Sequence, residues 1–292
     1  MKESPVLWIG RAQMIGDQVA ALPIARHFKK LFPSSHLIWP TANKVRQIAP
    51  IYYNCEWIDE IYITDGKEGI ESKRDYEKMR SASYIMEINP QHPDDLYPRH
   101  FSIYSETWRM ASLSMDMWEK LTEEERRPQL KKYWPSTRKD FSKKIIGAFI
   151  QAGYSAQNVR NPSLHYWESL LEPLIARGYF IYQFGGEKDW ELFGGKNQSV
   201  LRLNSLPFFD QIKEALECDL VIGTDSGSAL VLGAYSIPQI SLIPIHWGNE
   251  NNPSALSVDN PNNFSFYSFH GTDNIPQDQV LAKILEKTNN KL

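Results

Sequence analysis

With 42% hydrophobic and 23% charged side chains, a chain of 292 residues can bury two separate cores, and its composition is not that of a disordered protein. A formal net charge of −3 gives no bulk attraction to nucleic acid or to an anionic membrane. Two cysteines, Cys55 and Cys218, without a Cys-x-x-Cys pair or a His/Cys spacing suited to zinc, exclude a disulfide framework and a structural zinc site, and read as reduced, packed thiols.

Met1 runs through Glu3 and Pro5 into a short apolar strand at 6–9, with no charged-then-apolar leader. No apolar run is long enough to span a bilayer, so a cytoplasmic protein is expected, at most peripheral to the inner face of a membrane. Gly10 to Gly16 form a turn, and a helical pattern from Asp17 to about Phe32 follows, with Val19, Leu22, Ile24, Ala25, Phe28 and Leu31 as its apolar face. Pro23 falls in its first two turns. A strand at 36–39, a short helix at 42–49, a strand at 61–64, a polar helix at 68–80 and a strand at 84–88 continue the alternation, which predicts a parallel sheet. The loop at 89–100 carries three prolines, so regular structure is excluded there, and it leaves the same sheet edge as the turn before Asp17. Helices are expected at 101–113 and 117–126. The charged, proline-bearing stretch 127–138 reads as an interdomain linker, and the basic residues Lys131, Lys132, Arg138, Lys139, Lys143 and Lys144 as a solvated run.

The second half repeats the alternation, with strands at 145–150, 180–184 and 200–203, helices at 165–177 and 207–217, and a last helix at 277–287. Its most informative stretch is 218–243. The apolar run Leu220 to Ile222 ends at Gly223, turns through Asp225, Ser226, Gly227 and Ser228, continues as a small apolar helix and breaks at Pro238 into another apolar run: a βαβ unit. A strand's carboxyl end meeting a helix N-terminus presents unpaired N–H groups and the positive end of the helix dipole, a place for an anion such as phosphate. Asp and Ser are also ordinary N-caps, so this turn alone leaves both uses open. Two βα halves joined by one linker predict an α/β protein with two Rossmann-like domains, 1–138 and 139–292, whose parallel sheets face each other across a cleft. The last helix could pack back on the first domain.

Several motifs are absent. Gly10 to Gly16 are too widely spaced for Gly-x-Gly-x-x-Gly, and Trp39-Pro40 stand where a ribose-binding acid would end the second strand. Gly16 is followed by Asp17 and not by Lys-Ser or Lys-Thr, which argues against a phosphate loop of the Walker type. No Asp-x-Asp pair is available to hold a divalent ion on a sugar nucleotide, and no Gly-x-Ser-x-Gly marks a serine hydrolase.

On scattered short motifs spanning most of its length, the chain resembles the ADP-heptose:lipopolysaccharide heptosyltransferase family of glycosyltransferases. Gly16-Asp17 followed by Pro23 is similar to the family's Gly-Asp-x-x-x-x-x-Pro signature. Ser205-Leu206, then Leu220 through Gly227, then Ala234, Ile237-Pro238 and the loop from Gly248 to Pro253, are similar to its second-half pattern ending in Asp-Ser/Thr-Gly. Two departures stand out. The family's His three residues after that glycine is Leu230 here, and its basic residue before a Trp-Pro pair is replaced by Arg160, ahead of Asn161-Pro162, with His165 as a substitute.

The resemblance implies the GT-B architecture and metal-independent, inverting transfer of a heptose or related sugar from a nucleotide diphosphate donor to a hydroxyl of a glycan or lipopolysaccharide-type acceptor. No cofactor or metal is implied, and no nucleic acid partner. It implies Asp17 as general base, for which a plain N-cap is the alternative. The donor would be held by Gly16, Gly153, Ser155, Arg160, Asp189, Asp225, Ser226, Gly227 and Ser228 in a donor domain, with Asp189 near the ribose. The acceptor would meet the first domain at His92, Asp94, Arg99 and His100. His246 and Trp247 could cover the donor. A same-fold epimerase or hydrolase of sugar nucleotides, or a noncatalytic nucleotide-sugar-binding protein, are the alternatives.

Overall fold

Short apolar runs with β-branched and aromatic residues become parallel strands here, and the amphipathic stretches between them become the helices that cover both sheet faces. The computed structural model describes residues 6–9, 15–67, 70–86, 122–138, 140, 142–152, 161–224, 226–244 and 261–289. Every strand pairing among them is parallel. The α/β class is therefore as the alternation predicts. The chain divides into two units, Met1–Tyr133 and Trp134–Leu292.

The first unit holds a four-stranded sheet of β1 (Val6–Ile9), β2 (His36–Thr41), β3 (Glu60–Ile63) and β4 (Tyr84–Met86), in the order β3-β2-β1-β4. Helix α1 (Ile15–Leu31) buries Val19, Leu22 and Ala25, and the strands bury Trp8, Leu37 and Trp39. Pro23 lies in the interior of α1, beyond the first turn where a missing N–H is free of cost. The short helix expected at 42–49 is of the 3₁₀ type and runs over Asn43–Tyr52, with Val45 outside helical geometry and Pro50 lacking an N–H. The helix expected from 68 begins later, as α2 (Lys73–Arg80), because Ser72 and Asp75 close a capping box at its start. The helix expected at 117–126 differs in its start: Thr122 and Glu125 close a capping box, so α3 is Glu123–Arg126, and Arg26 on α1 pins it by donating to the Glu124 carbonyl at 3.0 Å and to Gln129 Oε1 at 3.0 Å.

The second unit holds a six-stranded sheet of β5 (Ile145–Phe149), β6 (Phe180–Phe184), β7 (Val200–Arg202), β8 (Leu220–Thr224), β9 (Gln239–Pro244) and β10 (Asn263–Ser268), in the order β10-β9-β8-β5-β6-β7. Its helices are α4 (Leu164–Ile175), α5 (Phe208–Ala215), α6 (Gly227–Ala234) and α7 (Gln277–Asn289). One core joins Ile146, Ala148, Leu220 and Ile222 to Trp167 and Leu170 of α4 and to Val280 and Ile284 of α7. Gln277 donates to the Tyr166 carbonyl at 3.0 Å, and the Thr288 and Tyr179 hydroxyls meet at 2.8 Å, so α7 lies on the second sheet beside α4. Strand β10 has no counterpart in the sequence reading. Its alternation is short, with Phe264 and Tyr267 exposed at the sheet edge, so its pattern is weak.

The stretch 127–138 is solvated at Lys131 and Lys132, as expected, but packed at Leu130, Trp134 and Arg138. Leu130 is buried, Trp134 stands edge-on to Phe209 at 5.2 Å and to Tyr235 at 5.9 Å, and the Arg138 side chain is only 8% exposed. Both cysteines are free and buried. Burial pushes the Cys55 thiol up to about 12 and raises that of Cys218 as well, which leaves both unreactive.

Candidate functional site

Strand order locates the site in the second unit. From β5 the chain steps outward through β6 and β7 on one side, and through β8, β9 and β10 on the other. The order reverses between β5 and β8, and at such a switch point the two following loops diverge and leave a crevice outside the carboxyl ends of the strands. The loop after β5 enters α4, on the face that packs Ile146, Ile222 and Trp167. The turn after β8 enters α6, on the other face, where Gln239 donates to the Ala229 carbonyl at 3.3 Å.

Glycine sets the spacing of the two strands at that point. A Cβ on Gly223 would meet Phe149 Cβ at 3.1 Å and the Phe149 carbonyl at 3.2 Å, so β5 and β8 come this close only because the residue has no side chain. Trp167 Nε1 donates to the Ile150 carbonyl at 2.9 Å and anchors the end of β5. Asn161 then brackets Ala152, accepting from its N–H at 2.7 Å and donating to its carbonyl at 3.4 Å. Gly153, Ser155 and Arg160, between these two residues, lie outside the described residues, as does Asp225.

At the end of β8, Ser226 is the N-cap of α6, with extended φ −155° and ψ 164°, and its hydroxyl accepts from the Ala229 N–H at 3.4 Å. The Gly227 and Ser228 N–H groups have no partner among the described residues, which is the orphan pair a helix start presents. Leu230 is buried in the same helix. The helix is apolar and buried from Ala229 to Ala234, so its axis is fixed by packing and its N-terminus cannot swing away from the sheet edge.

Beside β5, the end of β6 turns through Gly185 and Gly186. The Gly186 N–H donates to Asp189 Oδ2 at 2.9 Å, and the Asp189 N–H returns to the Gly186 carbonyl at 3.0 Å. Gly185 has φ +136°, and a Cβ there would strike Asp189 Oδ2 at 2.2 Å, so the position requires glycine. Gln211 holds both polar groups of Gly185, at 2.8 and 2.9 Å, Asn204 donates to the Gly186 carbonyl at 2.9 Å, and Arg202 to the carbonyls of Glu187 and Asp189 at 2.9 and 3.0 Å. Burial raises the Asp189 carboxyl above its ordinary value, against the Gly186 N–H and the nearby Arg202 charge. Asp189 is thus folded onto its own turn and is not a solvated loop carboxylate.

The structure brings Asp189, Ser226, Gly227 and Ser228 to one sheet edge. Gly16 and Asp17 lie at the corresponding edge of the other sheet, where the order reverses between β1 and β4. Gly16 is buried, and Asp17 lies two residues into α1, past the capping position; its side chain is outside the described residues. His92, Asp94, Arg99 and His100 lie outside the described residues, as do His246 and Trp247, while His165 is exposed in the first turn of α4. Sequence reasoning missed Asn161, Asn204 and Gln211, polar residues whose role rests on backbone partners in other elements. A buried Gln on the apolar side of the amphipathic helix α5 was the one available signal.

A cavity of about 340 Å³ opens at the opposite, amino end of this sheet, lined by Arg138, Lys143, Tyr182, Glu214 and Glu217 among others. The Arg138 guanidinium there is already taken by Asp219 and by the Glu217 carbonyl. Among the described residues no group of three His, Cys, Asp or Glu side chains could hold a metal ion, and no helix is long and apolar enough to cross a membrane.

No protein-family model matches the sequence, and no curated protein matches it by sequence. Solved structures do match over nearly the whole chain. The E. coli ADP-heptose lps heptosyltransferase II superimposes with a TM-score of 0.75 at 15% identity, covering 98% of this chain and 99% of that one. The chain has the GT-B fold. The glycosyl transferase family 9 protein from Veillonella parvula DSM 2008 gives 0.71 at 13% identity, with 98% of both chains covered. The E. coli heptosyltransferase WaaC with ADP gives 0.65 at 11% identity, covering 97% of this chain and 99% of that one. In this GT-B chain the β5/β8 switch point belongs to the second Rossmann-like unit and the β1/β4 switch point to the first.

Proposed function

We propose that the protein is a metal-independent, inverting glycosyltransferase that moves a heptose or related sugar from a nucleotide diphosphate donor to a hydroxyl of a glycan or lipopolysaccharide-type acceptor. The observation that carries this reading is the pair of orphan N–H groups, Gly227 and Ser228, at the N-terminus of a buried helix beside the β5/β8 switch point. The fold likeness to heptosyltransferases, one of them solved with ADP, supports it. In this reading residues 139–292 take the donor and residues 1–138 the acceptor.

The diphosphate lies on the Ser226 to Ser228 turn with Arg160 opposite, beside Gly153 and Ser155. Charge-assisted hydrogen bonds of ~1.5–3 kcal/mol each outweigh the ~0.3–1 kcal/mol of the helix dipole, so Arg160 is the larger contributor. Negative charge grows on the leaving diphosphate as the sugar becomes oxocarbenium-like, and donors already aimed at it lower the barrier without a metal. Asp225 orients sugar hydroxyls, and Asp189 faces the ribose. Asp17, beside Gly16, takes the proton of the acceptor hydroxyl as that oxygen bonds to the anomeric carbon and the bond to the diphosphate breaks. His92, Asp94, Arg99 and His100 bind the acceptor. The protein works in the cytoplasm, at most peripherally at the inner face of the membrane.

A thermal-shift screen of ADP, GDP, UDP and CDP and their sugar conjugates tests the donor site. One series should raise the melting temperature, equivalent to ~2.7 kcal/mol at a hundredfold excess over Kd, and Arg160→Ala should abolish the shift. If no nucleotide shifts the protein at millimolar concentration, the donor assignment fails. Asp17→Asn separates an enzyme from a binder: turnover falls ~10²–10⁴-fold while donor affinity stays. Activity should persist in EDTA.

A further inference from the structure

Gln211 is buried on helix α5, yet its side-chain amide bonds only to groups outside that helix. Its Oε1 accepts from the Gly185 N–H at 2.8 Å, and its Nε2 donates to the Gly185 and Leu206 carbonyls, each at 2.9 Å. Phe149 with Phe184 is the last pair of β5 with β6, so Gly185 stands one residue past that ladder and Gln211 takes the place of a strand there. The turn beyond it is exposed from Gly186 to Lys188, where water satisfies backbone groups without help. Side chains grip it all the same: Asn204, buried after β7, donates to the Gly186 carbonyl, and Arg202 to the carbonyls of Glu187 and Asp189.

What this grip fixes is one carboxyl. A Cβ on Gly185 would meet Asp189 Oδ2 at 2.2 Å, and one on Gly186 would meet Oδ1 at 3.2 Å, so the carboxylate lies across both glycines. The same point above Gly185 is 3.5 Å from Asn204 Nδ2, which places the Asn204 amide beside the carboxylate. Oδ2 is tied to the Gly186 N–H at 2.9 Å. Oδ1 has no donor among the described residues, and the side chain is half-buried, so this oxygen is held in one place with its lone pairs unused. An ionised carboxylate accepts on both oxygens, and a hydroxyl donor is worth ~1.5–3 kcal/mol to it.

We infer that Gln211 and Asn204 are positioning residues of the donor site, which hold the Gly185–Gly186 turn so that Asp189 Oδ1 meets a ribose hydroxyl of a nucleoside diphosphate. This rests on the donor-site reading above, in which Asp189 faces the ribose. Without either amide the glycine turn regains backbone freedom and the carboxyl spreads over many positions, so the hydroxyl contact weakens while the rest of the nucleotide stays held. Neither amide needs to touch the nucleotide.

Calorimetric titration of the full chain with ADP, GDP, UDP and CDP and with their dideoxyribose forms tests this, using the pair whose parent binds the wild type most tightly. The wild type should prefer the parent roughly 10- to 100-fold, the range for one hydrogen bond to a charged group, and Asp189→Ala should remove the preference. Gln211→Met keeps the volume and loses the amide. It should weaken the parent nucleotide, cut the preference to about threefold or less, and leave the dideoxy form bound within about threefold of wild type. Asn204→Ala should act in the same way and serves if the first variant fails to fold. Tyr179→Phe, which removes a buried hydroxyl contact with Thr288 at the opposite end of β6, is the control: it should lower the melting temperature and leave the preference unchanged. A wild-type preference in both Gln211→Met and Asn204→Ala, or an equal loss of preference in Tyr179→Phe, overturns the inference and leaves the donor site standing. Equal affinity of the wild type for both forms overturns the Asp189 contact and the inference with it. Absence of binding to all four nucleotides overturns the donor reading as well.

Discussion

Removing Arg138 should destabilise the second unit by about 3 kcal/mol, far more than loss of a surface ion pair. Its guanidinium grips Asp219 with two parallel bonds, Nη1 to Oδ1 and Nη2 to Oδ2, each 3.1 Å. It also donates to the Glu217 carbonyl at 3.1 Å, the Asp140 carbonyl at 3.1 Å and the Lys143 carbonyl. Asp219 Oδ2 in turn accepts from the Ile145 N–H at 2.8 Å, so one cation ties together the starts of β5 and β8. Exposed pairs contribute ~0–1 kcal/mol, whereas breaking a buried pair by deleting one partner costs ~3–5 kcal/mol. With 8% of the Arg138 side chain and 22% of the Asp219 side chain exposed, the site lies near the buried limit. Arg138→Met keeps the packed stem and loses all five donors. Arg138→Lys recovers little, because an ammonium cannot make the bidentate pair and reach three carbonyls together. Urea titration followed by hydrogen exchange at the β5 amides reads this unit separately from the first. A loss under about 1 kcal/mol in Arg138→Met, or full recovery in Arg138→Lys, would refute the clamp.

Asp75 should give the first unit an acid-sensitive term. Burial alone would raise this carboxyl, but N–H groups of Asp65, Ser72 and Gly66 and the Tyr62 hydroxyl outweigh burial and hold it at about 2. A depressed folded value means its stabilisation, roughly 2 kcal/mol, is complete above about pH 4 and is lost as pH falls through about 2. Asp75→Asn should flatten that part of the stability–pH curve; an unchanged slope between pH 4 and 2 would count against the assignment. Gly223→Ala should cost ~1–2 kcal/mol, since the overpacking of ~1–3 kcal/mol exceeds the ~0.5–1 kcal/mol gained by replacing a strand glycine. Its clash is with the β5 backbone, so nucleotide affinity should fall with stability, and a variant as stable as wild type in urea would show that β5 and β8 can separate cheaply.

The alternation of strand and helix was legible because a parallel strand covered on both faces is an apolar run almost by necessity, as Ile145–Phe149 and Leu220–Thr224 are. The turn from Ser226 to Ser228 was legible for a related reason: a strand ending in glycine, followed by small polar residues and an apolar helix, leaves few geometries. Less legible was whatever depends on distant partners. Arg138 reads as one more basic residue in a charged stretch until Asp219, 81 positions away, is brought beside it. Gln211 and Asn161 look like ordinary polar residues, since their partners at Gly185 and Ala152 are backbone groups that carry no sequence signal. Strand β10 failed at the edge of the sheet, where one face is exposed and the periodicity relaxes. The late start of α2 was set by a local signal, Ser72 with Asp75, that the polar run before it obscured.

An architecture shared at 11–15% identity over nearly the full length of each chain needs determinants that survive loss of most side chains. The edge at β5 and β8 has that character. Its spacing follows from a glycine that lets two backbones touch, its donors are main-chain N–H groups, and its direction follows from the order of strands. None of these requires a particular side chain beyond Gly223 and a cap at Ser226. What side chains then add is selectivity and charge, and here the chain has its own solution. Leu230 sits buried in α6, so no side chain at that position can neutralise or protonate a ligand at the helix start. In the proposed reading that compensation falls to Arg160, in the loop between Ala152 and Asn161.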